Sequence, residues 1–134
     1  TAMGKRESFS LFGSDYPTPD GTCIRDYIHI EDLAIGHIQA LEYVKRENKS
    51  DSFNLGTGKG YSNLEVLDMV KKVSGVDFKV ENHPKRVGDP PMIYADNSKA
   101  KSALGFNPQH SDLQTIVESA WKWHEKHQSK DGNY

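Results

Sequence analysis

The chain has 134 residues, with 17 Lys+Arg against 19 Asp+Glu for a formal net charge of -2, 35% hydrophobic residues and one Cys. That length caps it at one domain, the composition excludes a disordered or fibrous chain, and the charge balance lacks the basic excess that displaces counterions from nucleic acid. No run reaches the roughly 18 to 20 apolar residues of a membrane span, no signal-peptide stretch opens the chain, and Cys23 can form no internal disulfide. A cytoplasmic chain with no metal, membrane or nucleic-acid partner is expected.

Thr1 to Arg6 has no initiator Met at position 1 and reads as the end of a helix begun upstream, so a preceding part is expected. Ser8 to Phe12 alternates as a short strand, and Gly13 to Gly21, with Pro17, Pro19, Asp20 and Gly21, is turn. Thr22 to Ile30 reads as extended chain. A helix is predicted from about Glu31 to Asn48, with Leu33, His37, Ala40, Leu41 and Val44 on one face and Glu31 and Asp32 at its positive end. Asp51 to Leu55 reads as a short strand, and Gly56-Thr57-Gly58-Lys59-Gly60 as a loop. Ser62 and Glu65 form a capping box for a second helix, which turns Leu64, Leu67, Val70 and Val73 inward and stops at Gly75. Val76 to Glu81 alternates as a strand. The loop His83 to Pro91 is too rich in proline for a helix or central strand. Met92 to Ala95 reads as extended, and Asn97 to Leu104 as a short helix stopped by Gly105 and Pro108. Ser111 and Gln114 form a second capping box, opening a last helix whose apolar face is Leu113, Ile116, Val117, Ala120 and either Trp123 or His124. Lys130 to Tyr134 reads as a frayed tail.

The loop Gly56-x-Gly58-x-Gly60 lies where backbone amides can cradle phosphate. Its third glycine is misplaced for a dinucleotide fingerprint and no Gly-Lys-Ser/Thr follows, so a plain turn is the better reading. Two-residue alternation puts Arg25, Tyr27 and His29 on one side of the extended segment and Ile24, Asp26, Ile28 and Ile30 on the other. Arg25 offers a planar fork for phosphate and Tyr27 a hydroxyl beside it. The plainer alternatives are a surface pair of Arg25 with Asp26 and a structural His29. In Arg86-Val87-Gly88-Asp89 a cation for phosphate and a carboxylate for hydroxyls flank a close-approach glycine, which suits a nucleotide sugar. The alternative there is a surface loop with a local salt bridge. No Ser/His/Asp or Cys/His pairing stands out, and neither Tyr16 nor Tyr27 has a Lys four residues later. No catalytic residue is assigned, and hydride chemistry would need a cofactor held elsewhere.

Four motifs stand in order: Phe12 to Ala34 (FGSDYPTPDGTCIRDYIHIEDLA), Phe53 to Gly60 (FNLGTGKG), Pro84 to Pro90 (PKRVGDP) and Ala120 to His124 (AWKWH). Together they resemble the C-terminal part of the UDP-glucose 4-epimerase family. The resemblance implies the α/β fold of an extended short-chain dehydrogenase/reductase. Residues 1–134 would be its C-terminal UDP-sugar-binding part, the Rossmann half would be absent from this chain, and about 26–56 would pack on that cofactor domain. It also implies an isomerase acting as a homodimer on UDP-glucose and UDP-galactose. NAD would oxidise the sugar at C4, the keto intermediate would turn, and the hydride would return to the other face.

By the same resemblance, Ser10, Leu11 and Phe12 match the stretch that lines uracil, and Arg25, with Tyr27 beside it, matches the diphosphate arginine. Arg86 matches a second phosphate arginine and Asp89 the ribose carboxylate, with Val87 and Gly88 between them. Ile93 matches the position that gates the sugar 2-substituent, where its size is intermediate. The loop Gly56 to Gly60 is not the family's cofactor loop, and its catalytic Tyr-x-x-x-Lys lies upstream, so the segment alone is expected to be inactive. The alternatives are a related 4-epimerase of UDP-N-acetylhexosamines or UDP-pentoses, or a catalytically dead UDP-binding module. On its own the chain is expected to expose apolar surface and associate.

Overall fold

The structure, a computed structural model, describes residues 1–128; the expected frayed tail at 130–134 lies outside them. In chain order the elements are β1 (Ser8–Phe12), β2 (Ile24–Arg25), α1 (Ile30–Glu47), β3 (Tyr61–Ser62) and α2 (Asn63–Ser74). They continue with β4 (Lys79–His83), β5 (Met92–Ile93), α3 (Ser98–Leu104) and α4 (Leu113–Gln128). Two small sheets form, one of β1 and β4 in parallel and one in the order β3-β2-β5. A parallel pair needs a long crossover, and here the chain from β2 through α2 supplies it.

α2 covers the first sheet as its periodicity predicts. Leu11 of β1, Leu67 of α2 and Phe78 form a buried cluster, with Leu64, Val70 and Val80 packed against it. The predicted capping box is present: Ser62 Oγ accepts from the Glu65 amide at 3.1 Å, and Glu65 Oε2 accepts from the Ser62 amide at 2.6 Å.

Several expectations need correction. Thr1 to Arg6 forms turns and bends, with the Gly4 amide bonded to the Thr1 carbonyl. The strand expected at Val76 to Glu81 begins only at Lys79 and runs to His83, because its register is set by pairing with Ser8–Phe12. Asp51 to Leu55 has no strand partner and forms no strand; Asp51 instead binds its neighbour Ser52 and Lys99, and Phe53 packs edge-on against Tyr43 with centroids 5.1 Å apart. Of the extended segment Thr22 to Ile30 only Ile24–Arg25 joins a ladder, and of Met92 to Ala95 only Met92–Ile93. The short helix expected from Asn97 begins at Ser98, with Asn97 as its N-cap residue, whose side-chain amide donates to the Gly56 carbonyl at 2.7 Å and makes no cap bond.

The two long helices differ most from the one-face reading. In α1 the buried residues are Asp32, Gly36 and Tyr43, whereas Ile30, Ile35, Ile38, Leu41 and Val44 are exposed, Ile38 at 59% and Leu41 at 55%. A Cβ on Gly36 would lie 2.7 Å from Leu55 Cδ1 and 3.2 Å from Phe106 Cε2. That close approach turns the bare glycine inward and leaves the apolar stripe outside. α1 is capped by His29, whose Nδ1 accepts from the Glu31 amide at 3.1 Å while Nε2 lies 2.8 Å from Ser119 Oγ. In α4 the predicted Ser111 and Gln114 box does not form. Ser111 is taken by Asp32 and by the His29 amide, and Asp112 caps instead by accepting from the Thr115 amide at 2.9 Å. Leu113 and Val117 are buried, but Trp123 is exposed.

Asp32 joins the two helices. Its buried carboxylate accepts from the Gln109 amide at 2.9 Å, the His110 amide at 2.9 Å and the Ser111 hydroxyl at 2.5 Å. Burial works to raise its pKa, but the Ser111 hydroxyl and the two amides outweigh it and hold the group below the ordinary aspartate value. A depressed native pKa stabilises fully above the unfolded value and loses that contribution as pH falls through the native one. Asp32→Asn should therefore cost on the order of 2 kcal/mol at pH 7 by thermal or urea unfolding. The gap from wild type should shrink below about pH 4, and a gap unchanged down to acid would remove the carboxylate charge from this account.

Candidate nucleotide-binding site

β2 is the centre of the site. It pairs antiparallel with β3 and parallel with β5, which sets Tyr61 and Ile93 opposite Arg25. Opposed residues share a face of a sheet. Arg25 and Ile93 line a cleft of about 570 Å³ together with Phe53, Asn54, Tyr94 and Asp96. Arg25 Nη1 donates to the Ile24 carbonyl at 2.8 Å, and among the described residues Arg25 makes no ion pair. The surface pair of Arg25 with Asp26 is therefore not formed, because Asp26 is turned to backbone amides. Nor does the alternation reach His29, which is buried as a helix cap.

Tyr27 stands apart from Arg25. It lines a separate apolar groove of about 580 Å³ with Phe9, Val66, Val70 and Trp121, and its hydroxyl lies 3.4 Å from Asn63 Oδ1. Burial raises its pKa, and the nearby Arg25 charge opposes that shift.

A second cluster forms at the end of the first sheet. Phe12 lies opposite His83 in the β1 and β4 register, their rings stacked with centroids 5.3 Å apart. The Arg86 guanidinium sits 4.9 Å from the Phe12 centroid, and its Nε donates to Asp89 Oδ2 at 2.9 Å. The local salt bridge foreseen as the plainer reading of this loop is thus present. Val87 is fully exposed. Tyr16 is a buried ring whose pKa is raised by burial, by Cys23 and by Asp89, against an opposing pull from the Arg25 charge. Ser10 is exposed on β1, but the Leu11 side chain is 3% exposed and belongs to the core, so only its backbone can meet a ligand.

The glycine loop does not suit a dinucleotide. The Thr57 and Gly58 amides that would face a pyrophosphate already donate to Asp26, at 3.0 and 3.1 Å, and that carboxylate would repel phosphate. This loop therefore does not fit the pyrophosphate of NAD. His83, Tyr61 and Asp26 join the site without having been singled out for it. Strand register places the first two, and no local sequence pattern reveals which residues will lie opposite one another.

These features can be set against known proteins. UDP-glucose 4-epimerase of Lactobacillus helveticus is 50% identical over 127 residues, which is 95% of this chain and 38% of that protein. The chain is a homologue of UDP-glucose 4-epimerases. A model of the NAD dependent epimerase/dehydratase family matches residues 1–56. Among solved structures, the UDP-Glc/GlcNAc 4-epimerase of Campylobacter jejuni superposes with a TM-score of 0.84 at 49% identity, covering 93% of this chain and 38% of that one. UDP-glucose 4-epimerase of Bifidobacterium longum, solved in complex with NAD+ and UDP, gives 0.85 at 36% identity over 97% of this chain and 38% of that one. The α/β fold is accordingly that of the C-terminal part of an extended short-chain dehydrogenase/reductase. The chain spans about 38% of the length of the curated UDP-glucose 4-epimerase it matches.

The Arg86 and Asp89 pair is exposed on the cation side, at 62% for Arg86. Such pairs contribute little to folding. Arg86→Met and Asp89→Asn should each change unfolding free energy by less than about 1 kcal/mol; a much larger loss would mark the pair as a structural clasp rather than a ligand-directed one.

Proposed function

We propose that this chain is the UDP-sugar-binding part of an NAD-dependent 4-epimerase that interconverts UDP-glucose and UDP-galactose. The observation that carries the proposal is Arg25: an arginine held in mid-sheet at the wall of a cleft, with its fork committed to no carboxylate. A cation so placed suits a diphosphate, whose oxygens take charge-assisted bonds from a planar guanidinium. Arg86 is the second phosphate donor and Asp89 the acceptor for ribose hydroxyls, once the ligand parts their mutual bond. Val87 and Gly88 give the loop its reach, whereas Tyr27, with its hydroxyl on Asn63 in the separate groove, takes no part in holding the diphosphate. Ser10, Leu11 and Phe12 offer the nucleobase the edge of β1 that pairs with no other strand among the described residues. NAD, held outside this chain, supplies the hydride chemistry, while this chain anchors the nucleotide as the pivot about which the hexose turns.

The exposed stripe Ile30, Ile38 and Leu41 on α1 supports packing of about 26–56 on a cofactor domain, in a complete protein proposed to be a cytoplasmic homodimer. The isolated chain should then self-associate in light scattering and show no turnover. Turnover by the pure 134-residue chain would overturn the division of labour.

A second reading keeps the chemistry and changes the sugar. Ile93 is 52% exposed on the cleft wall and leaves room that a larger side chain would fill. N-acetylhexosamine or pentose nucleotides are therefore alternative substrates, and a catalytically dead UDP-binding module remains if the gene product lacks a cofactor half. In the complete protein, Arg25→Ala should weaken UDP binding about tenfold or more by calorimetry, the range for a charge-assisted contact. Ile93→Tyr should lower the UDP-GalNAc to UDP-galactose turnover ratio by roughly 10- to 100-fold, the range for a few carbons in a pocket. Unchanged UDP affinity in Arg25→Ala would reject the anchoring role.

A further inference from the structure

We infer that Asp26 is a positioning residue for Arg25, acting by clamping both neighbours of β2 with one carboxylate. The inference rests on the UDP-binding reading above. Each strand of the central sheet is two residues long, too short for ladder bonds alone to hold a register. The side chain next to Arg25 supplies what the ladder lacks. Asp26 accepts from the Thr57 amide at 3.0 Å, the Thr57 hydroxyl at 2.7 Å and the Gly58 amide at 3.1 Å, all on the chain leading into β3. It also accepts from the Ala95 amide at 3.2 Å, on the chain leaving β5, while its own amide donates to the Ile93 carbonyl at 3.2 Å. One residue therefore ties β3 and β5 to β2 on either side of Arg25.

The surroundings are shaped to that carboxylate. A Cβ on Gly56 would lie 2.5 Å from Asp26 Oδ2 and 2.6 Å from the Ala95 Cβ, so only glycine lets the loop approach this closely. Asn97 closes the other side of the loop through its 2.7 Å bond to the Gly56 carbonyl. With four donors on its two oxygens, Asp26 has little left to offer a cation. This is why adjacent opposite charges do not pair, and why Arg25 stays available to an anion.

The test is a double-mutant cycle in the complete protein, read by calorimetry with UDP and with uridine as probes. Asp26→Asn keeps the shape but turns an amide donor toward donors. It should weaken UDP about tenfold and uridine less than about twofold, because the register it holds carries the diphosphate arginine. Added to Arg25→Ala, it should cost less than about twofold more, since residues acting through one another are not additive. Equal losses for UDP and uridine, or additive losses in the cycle, would show a merely structural carboxylate and overturn the inference. Should Asp26→Asn fail to fold, Thr57→Ala leaves the carboxylate and its three amide donors in place and removes the hydroxyl, whose partners are Asp26 Oδ1 at 2.7 Å, the Lys59 carbonyl at 3.0 Å and the Lys59 amide at 3.1 Å. It should weaken UDP about two- to threefold while sparing uridine, and unchanged UDP binding there would overturn the inference as well. A wild-type protein that binds no UDP would overturn the functional reading together with this one.

Discussion

Carboxylates at positions 20, 26 and 32 each gather donors from a distant segment, and the arrangement of the rest follows from where they reach. Asp20 accepts from the Thr22 amide and hydroxyl at 2.8 Å and from the Ser62 hydroxyl, joining the entry of β2 to the start of α2. Asp26 takes the glycine loop and the exit of β5. Asp32 takes the turn ahead of α4. A buried amide or hydroxyl without a partner costs more than a paired one contributes, so these acceptors decide which loops can pack where. Asp20 and Asp32 both keep pKa values below the ordinary one although burial works the other way, a sign that their donors outweigh desolvation.

On the proposed function, the charges that do not perform this task are the ones a ligand would meet. Asp26 is spent on amides, so its neighbour Arg25 stands without an acidic partner among the described residues, a half-buried guanidinium beside a cleft. Arg86 and Asp89 satisfy one another across an exposed loop, an arrangement a nucleotide can open at small cost because solvent already screens it. Phe12, stacked on His83 and flanked by Arg86, gives the same region a flat apolar surface. A fixed cation, a pair that can open and an aromatic platform are the groups that the proposed nucleoside diphosphate would call for.

Legibility differed from element to element for definite reasons. Ser62 and Glu65 announce α2 because a capping box is local chemistry, complete within four residues. Ser111 and Gln114 have the same spacing and fail, because Asp32 competes for the serine from 79 residues away. The apolar spacing of α1 was plain, but which side faced inward was decided by Gly36 against Leu55 and Phe106, contacts no window of sequence contains. In the site, Arg25 and the Arg86 to Asp89 loop were visible as charge patterns, and the family resemblance gave them roles. Asp26 was visible only as the other half of an apparent ion pair.

The amino-acid order by itself determined the helices, their caps where the capping chemistry is local, the turns rich in proline and glycine, and the kinship with UDP-glucose 4-epimerases. Those depend on propensities and motifs that act over a few residues. Tertiary structure alone decided that Arg25 lies opposite Ile93 and Tyr61, that Phe12 stacks on His83, and that α1 presents isoleucines outward. Each of these is a contact between segments far apart in the chain, selected by which buried polar groups find partners, and that selection is a property of the whole fold.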